Sequence, residues 1–175
     1  MTDAALLVAL ANARSDRRPS HARERVAHDG LADPASAGEL LAPLLQAPVA
    51  ARELPALRAA QRAVVAIVDA VIEGSPPPLD GLNAIAEREP VICVLERGPD
   101  GRPVPRLRPR RASVMAALLV ALFEELGELE PSRLRRCERS ECRLVFYDTS
   151  RSGTQRWHAE RPCGLRERQR RHRAR

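Results

Sequence analysis

The chain has 175 residues, 44% apolar but only 2% aromatic, with a formal net charge of +6 and no lysine. That length allows one ordinary domain, or one domain with a small appendage, and the apolar share is enough for a core. Four cysteines in metal-like spacing, an N-terminus (MTDAALLVALANARSDRR) unlike a signal peptide, and no apolar run of membrane-spanning length argue against a disulfide scaffold and a membrane protein, and favour the reducing cytoplasm.

In chain order, Leu6, Leu7 and Leu10 predict a short buried helix ending near Asn12. Residues 14–29 are polar and read as a loop that exposes His21 and His28. Asp33-Pro34 places a capping acid before a proline at the first helical position, opening a short helix through Leu40, Leu41 and Leu44. The longest helix runs from Arg52 to Ile72. Its apolar stripe is Leu54, Leu57, Val64, Val65, Val68, Val71 and Ile72, with Gln61 on the same face. Gly74 and the Ser75-Pro76-Pro77-Pro78 run end it.

Leu79 to Arg88 makes another short helix. VICVLE and RPVPRLR then read as two strands of a hairpin with Asp100-Gly101 at its tip, and Pro103 and Pro105 put the second strand at an edge. Cys93, inside the first strand, reads as a buried apolar residue. Ala112 to Leu126 is apolar on nearly all sides and should be the central helix. A pocket between it and the long helix would suit a small-molecule effector. Gly127 and Pro131 close this helical domain, assigned to residues 1–130.

The last part, residues 131–175, has a different character. From Arg133 onward 14 arginines face five acids, a balance of +9, while the rest of the chain carries −3. This points to an acidic partner for the C-terminal part alone. Cys137 and Cys142 are separated by four residues, as are His158 and Cys163, with fifteen residues between the pairs. Two close pairs of thiolate and imidazole donors, joined by a loop that returns, are how a chain builds a tetrahedral zinc site.

A knuckle at Cys137–Cys142, a hairpin with one strand at Leu144–Tyr147 and its return at Arg156-Trp157, and a helix from Gly164 to Arg173 make a treble-clef-like unit. Phe146, Tyr147 and Trp157 would be its core. Four protein ligands close the site, so the one zinc ion would be structural. The competing reading is three unrelated thiols beside a bystander histidine. His172 is the other nearby donor, although its basic surroundings suit a solvated residue better.

These residues carry a family resemblance. The Cys137 and Cys142 pair, Phe146-Tyr147-Asp148-Thr149-Ser150-Arg151, Arg156-Trp157-His158 and Cys163-Gly164-Leu165-Arg166 resemble the CGNR-type zinc finger. Two positions depart from its pattern: His158 stands at the third cysteine and Leu165 at the asparagine. Upstream, LVALAN at Leu7–Asn12, the Asp29–Pro34 segment, Glu53–Arg58 and Leu82-Asn83 resemble, more loosely, the ABATE domain that usually precedes that finger. The resemblance implies a bacterial, stress-responsive transcription regulator.

The expected architecture is therefore mainly α with a small β-hairpin, an α+β chain ending in a zinc finger. Arg166, Arg168, Arg170, Arg171 and Arg173 on the last helix, extended by Arg151 and Arg156, would contact the phosphates of double-stranded DNA. With Phe146, Tyr147 and Trp157 used internally, few aromatics remain to stack on single strands. The alternative is a structural finger that meets an acidic protein partner. No nucleophile–base pairing, phosphate loop or carboxylate dyad suggests an enzyme.

Overall fold

The computed structural model describes residues 4–13, 29–45, 48–139 and 141–173. It is a mainly helical α+β fold with two small antiparallel sheets. The polar segment carrying His21 and His28 lies outside the described residues.

Helix α1 (Ala5–Asn12) has no cap of its own at its N-terminus. The cap comes from α5 (Val114–Gly127), where Glu125 accepts hydrogen bonds from Leu6 N at 3.0 Å and Leu7 N at 2.7 Å. A carboxylate there satisfies orphan amides and complements the helix dipole. The other end is closed by α3 (Leu54–Glu73), whose buried Gln61 donates from Nε2 to the carbonyls of Leu10 and Ala13. Gln61 thus occupies the apolar stripe because it terminates a neighbouring helix.

Helix α2 (Pro34–Leu41) begins as the sequence predicts, with Asp33 accepting from Ser36 N at 2.9 Å and Pro34 at the first position. It ends at Leu41, and Leu44 packs on the core from the following turn. Helix α3 (Leu54–Glu73) is the spine, burying Leu57, Ala60, Val64, Ile67 and Val68. A short 3-10 turn, Ala51–Glu53, leads into it, and Gly74 at φ +70° supplies the left-handed residue that ends it. Helix α4 (Asp80–Arg88) packs on α3 through Leu82. Helix α5 (Val114–Gly127) starts at Ser113, whose Oγ accepts from Ala116 N, and buries Met115, Leu118, Leu119 and Leu122.

Between α4 and α5 the chain makes the predicted hairpin, β1 (Val91–Arg97) and β2 (Pro103–Pro109), paired Val91 to Pro109 through Arg97 to Pro103. Gly101, at φ +80°, lies at its tip. Cys93 is not buried. It is exposed, because this sheet has only two strands and nothing among the described residues covers the position.

Strands β3 (Leu134–Arg136) and β4 (Val145–Tyr147) form the second sheet, and helix α6 (Leu165–Arg173) ends the described chain. The partner of β4 is the segment before Cys137, not the expected return at Arg156-Trp157. Pairing with 134–136 lets Leu134, Val145 and Tyr147 join the same core as α1, α3 and α5. Tyr147 therefore packs with the main core, while Trp157 stays beside the cysteines. The Asn12 side chain completes the seam: its Nδ2 donates to Val145 O at 2.8 Å, and its Oδ1 accepts from Val145 N at 2.9 Å.

Where α3, α4 and the end of α5 meet lies an apolar groove of about 480 Å³. Its walls include Ile67, Val71, Leu82, Phe123, Leu126 and Leu129. No described helix is long and apolar enough to cross a membrane.

Candidate metal centre

The loop of the β3–β4 hairpin is the knuckle. Cys137 follows β3 directly and extends the ladder by one bond, from its N to Leu144 O at 2.9 Å. A turn closed by Cys142 N to Arg139 O brings the second sulfur back beside the first. The other two donors arrive from the far side. Glu138 N bonds Arg156 O, so the returning chain is pinned against the knuckle just before His158. Cys163 sits in the irregular turn Glu160–Gly164 that leads into α6.

All four donor atoms, from Cys137, Cys142, His158 and Cys163, lie within 4.8 Å of one another. His158 Nδ1 is 3.4 Å from Cys142 Sγ and 3.7 Å from Cys163 Sγ. A zinc ion at ordinary Zn–S and Zn–N distances makes a tetrahedron with edges of about 3.5–3.8 Å. The spacing therefore fits one tetrahedral zinc, with the imidazole binding through Nδ1. The three cysteines are buried and His158 is half-buried. Burial and the crowding of neighbouring thiols push the Cys142 thiol up to about 12. A pocket of three sulfurs this dry needs a cation to hold them as thiolates, which is the chemistry of a structural zinc site.

The shell around the ligands is tight. A Cβ built on Gly164 would stand 2.5 Å from Glu160 Oε2, the end of a side chain that can swing aside, and 3.0 Å from the Trp157 ring, so a larger residue there would have to displace both. The guanidinium carbons of Arg156 and Arg168 lie over the Trp157 ring, at 5.3 Å and 5.8 Å from its centroid. Arg156 also pairs with Glu138, and Arg168 with Glu160. These contacts tie α6 to the segment that supplies His158.

Sequence reasoning missed the polar core of the module. Asp148 is fully buried. Its Oδ1 accepts from Ser150 N at 2.9 Å and Ser150 Oγ at 2.5 Å, and its Oδ2 from Gln155 N at 2.8 Å. Burial alone would raise its pKa. The Ser150 hydroxyl, the two amides and nearby Arg135 outweigh that and hold the carboxyl below its ordinary value. Arg133 donates to the carbonyls of Asp148 and Ser150, and Arg135 to those of Gly153 and Gln155. The Asp-Thr-Ser string is an Asx-turn signature that could have revealed the first part. No local pattern marks the two arginines.

The seven arginines expected to meet nucleic acid fall into distinct places. All are exposed. Arg156 and Arg168 are in the pairs just described. Arg170 and Arg171 both pair with Glu167, which is buried at the base of α6. The Arg170 hydrogen bond leads in holding Glu167 down to about 2 against its burial, with Arg171 adding to it. Arg151 is at the 150–153 turn and Arg173 ends α6. Arg166 and Arg173 line, with Arg139 and Arg170, a shallow recess of about 280 Å³.

Three buried thiols and a half-buried imidazole, presented by a knuckle and the entry to a helix, define a closed zinc-binding module. In agreement, residues 133–175 match the family model of the CGNR zinc finger. No curated protein matches the chain.

Proposed function

We propose that the finger binds double-stranded DNA and that the protein is a cytoplasmic bacterial transcription regulator of the stress-responsive kind. The observation that carries this reading is the arginine-lined recess on α6. Arg139, Arg166, Arg170 and Arg173 surround a hollow large enough for a backbone phosphate. The two acids at its rim, Glu141 and Glu167, are paired with Arg139 and with Arg170 and Arg171. Arginine forks fixed to a rigid base favour phosphate oxygens, and such contacts set register on a duplex before any base is read.

In this reading the metal supplies shape and no chemistry. Four protein donors leave no open position on zinc, so the module is not catalytic. The helical part, ABATE-like by resemblance, would act as the sensor. Its groove between α3 and α5, apolar and rimmed by Asn83, suits a small, largely apolar effector. A ligand-dependent rise in melting temperature would test that part separately.

The DNA reading is tested by duplex titration at two salt concentrations, with the full chain and an Arg166→Ala/Arg173→Ala variant. The expected result is steep salt dependence, weaker binding by the variant, and a salt slope shallower by roughly 0.9 for each phosphate the variant leaves unneutralised. Unchanged affinity in the variant would remove the recess from the interface. A finger serving only an acidic protein partner would leave the duplex unbound at either salt.

A further inference from the structure

The β1–β2 hairpin has two edges of opposite character. The bonds Gly98 N to Arg102 O and Arg110 N to Pro90 O set the parity of its ladder. Even-numbered residues bond across the pair, so odd-numbered residues turn their backbone groups outward. On β2 the outward positions are Pro103, Pro105, Leu107 and Pro109. Three of the four have no N–H, and that edge cannot accept another strand. On β1 the outward positions are Val91, Cys93, Leu95 and Arg97, all with amide donors. One edge is closed by proline, and no strand among the described residues pairs with the other.

The open edge is also apolar and exposed. Leu95 is 75% exposed and Ile92 43%, and Cys93 is exposed beside them. Open edges of this kind are usually blunted by charge, proline or a covering element. Here the prolines are confined to β2, and β1 carries charge only at its last two residues, Glu96 and Arg97.

The side chains of β1 are complementary to themselves. An antiparallel pairing about a two-fold axis at Cys93 sets Val91 of one copy opposite Leu95 of the other. The same register brings Arg97 of one copy level with Glu89 of the other, the C-cap residue of α4 two positions before the strand begins. Apolar residues meet apolar residues and a base meets an acid, twice each, as an isologous contact requires. Glu89 Oε2 accepts from Ser113 Oγ at the start of α5 within its own chain, a bond the carboxylate would share with or exchange for the partner's arginine.

We propose that β1 pairs antiparallel, edge to edge, with β1 of a second copy, joining two hairpins into a four-stranded sheet of order β2-β1-β1-β2. This does not depend on what the finger binds.

Analytical ultracentrifugation of the full chain, zinc-loaded and reduced, tests the pairing. A dimer is expected for the native chain, and a monomer for Leu95→Pro at the same concentration. Position 95 bonds outward only, so that proline leaves the intramolecular ladder complete. Arg97→Glu and Glu89→Arg should each weaken the dimer a few-fold, and the two together should restore it. A short bis-maleimide should cross-link two chains through Cys93 and fail with Cys93→Ser. A native chain that is monomeric throughout would overturn the proposal. So would a dimer that Leu95→Pro leaves intact with its helical signal unchanged, or charge variants that do not compensate. If Leu95→Pro misfolds, the charge variants decide.

Discussion

Asp148 shows how a single side chain organises the loop between the ligand pairs. Its two oxygens take hydrogen bonds from Ser150 and Gln155, and these overcome the cost of burying the charge. Asp148→Asn keeps the size and removes the anion, so a loss of about 1.5–3 kcal/mol is expected by urea unfolding at neutral pH. The folded pKa lies below the unfolded value. The contribution is therefore complete above about pH 3.9 and disappears as pH falls through the folded pKa. The gap between native and variant should hold constant down to about that pH, and close below it, with metal content followed in parallel. A gap that grew on acidification would contradict this. At the ligand positions, His158→Cys should retain zinc as a four-thiolate site, while His158→Ala should lose stoichiometric metal. Metal analysis of the two variants distinguishes a ligand from a bystander.

Among the elements, those with strong periodicity are legible in the sequence, and those made by tertiary contact are not. The stripes of α3 and α5, the Asp33 cap and the β1–β2 turn are local, and the structure has them where propensity puts them. Strand β3 is Leu-Arg-Arg, three residues with no alternating pattern. It exists because Leu134 enters the core and Arg135 and Arg136 find partners in Gly153 O and Asp69. Cys93 misleads because an apolar strand looks the same in sequence whether or not a layer covers it. The four metal ligands are legible because their spacing is itself the signal. The buried role of Asp148 is not, since an acid counted in a charge balance looks like a surface residue. The seam between α1 and β4 gives a prediction at this scale. Asn12→Ala leaves both polar groups of Val145 without their partner, and about 2 kcal/mol of stability should be lost in chemical unfolding. A loss within error of zero would show that the seam does not couple α1 to the strand.

Across the molecule, the zinc-binding module and the helical part share structure. Leu134, Val145 and Tyr147 belong to the main core, and Arg136 reaches Asp69 of α3 at 2.9 Å. The ligand Cys137 follows β3 directly, and Cys142 lies three residues before β4. Metal binding is then linked to the stability of the strands, because ligands that converge only in the folded chain make binding energy part of folding energy. The same rigidity holds α6 and its arginines in one orientation. The shape of that surface depends on the ion being bound.

The most direct measurement is therefore elemental analysis of the purified, reduced protein, before and after exhaustive chelation, with unfolding followed on both forms. One zinc per chain is predicted, bound by Cys137, Cys142, His158 and Cys163, with a lower unfolding midpoint after chelation. A fully folded protein with no stoichiometric zinc, and a midpoint indifferent to the chelator, would contradict the account.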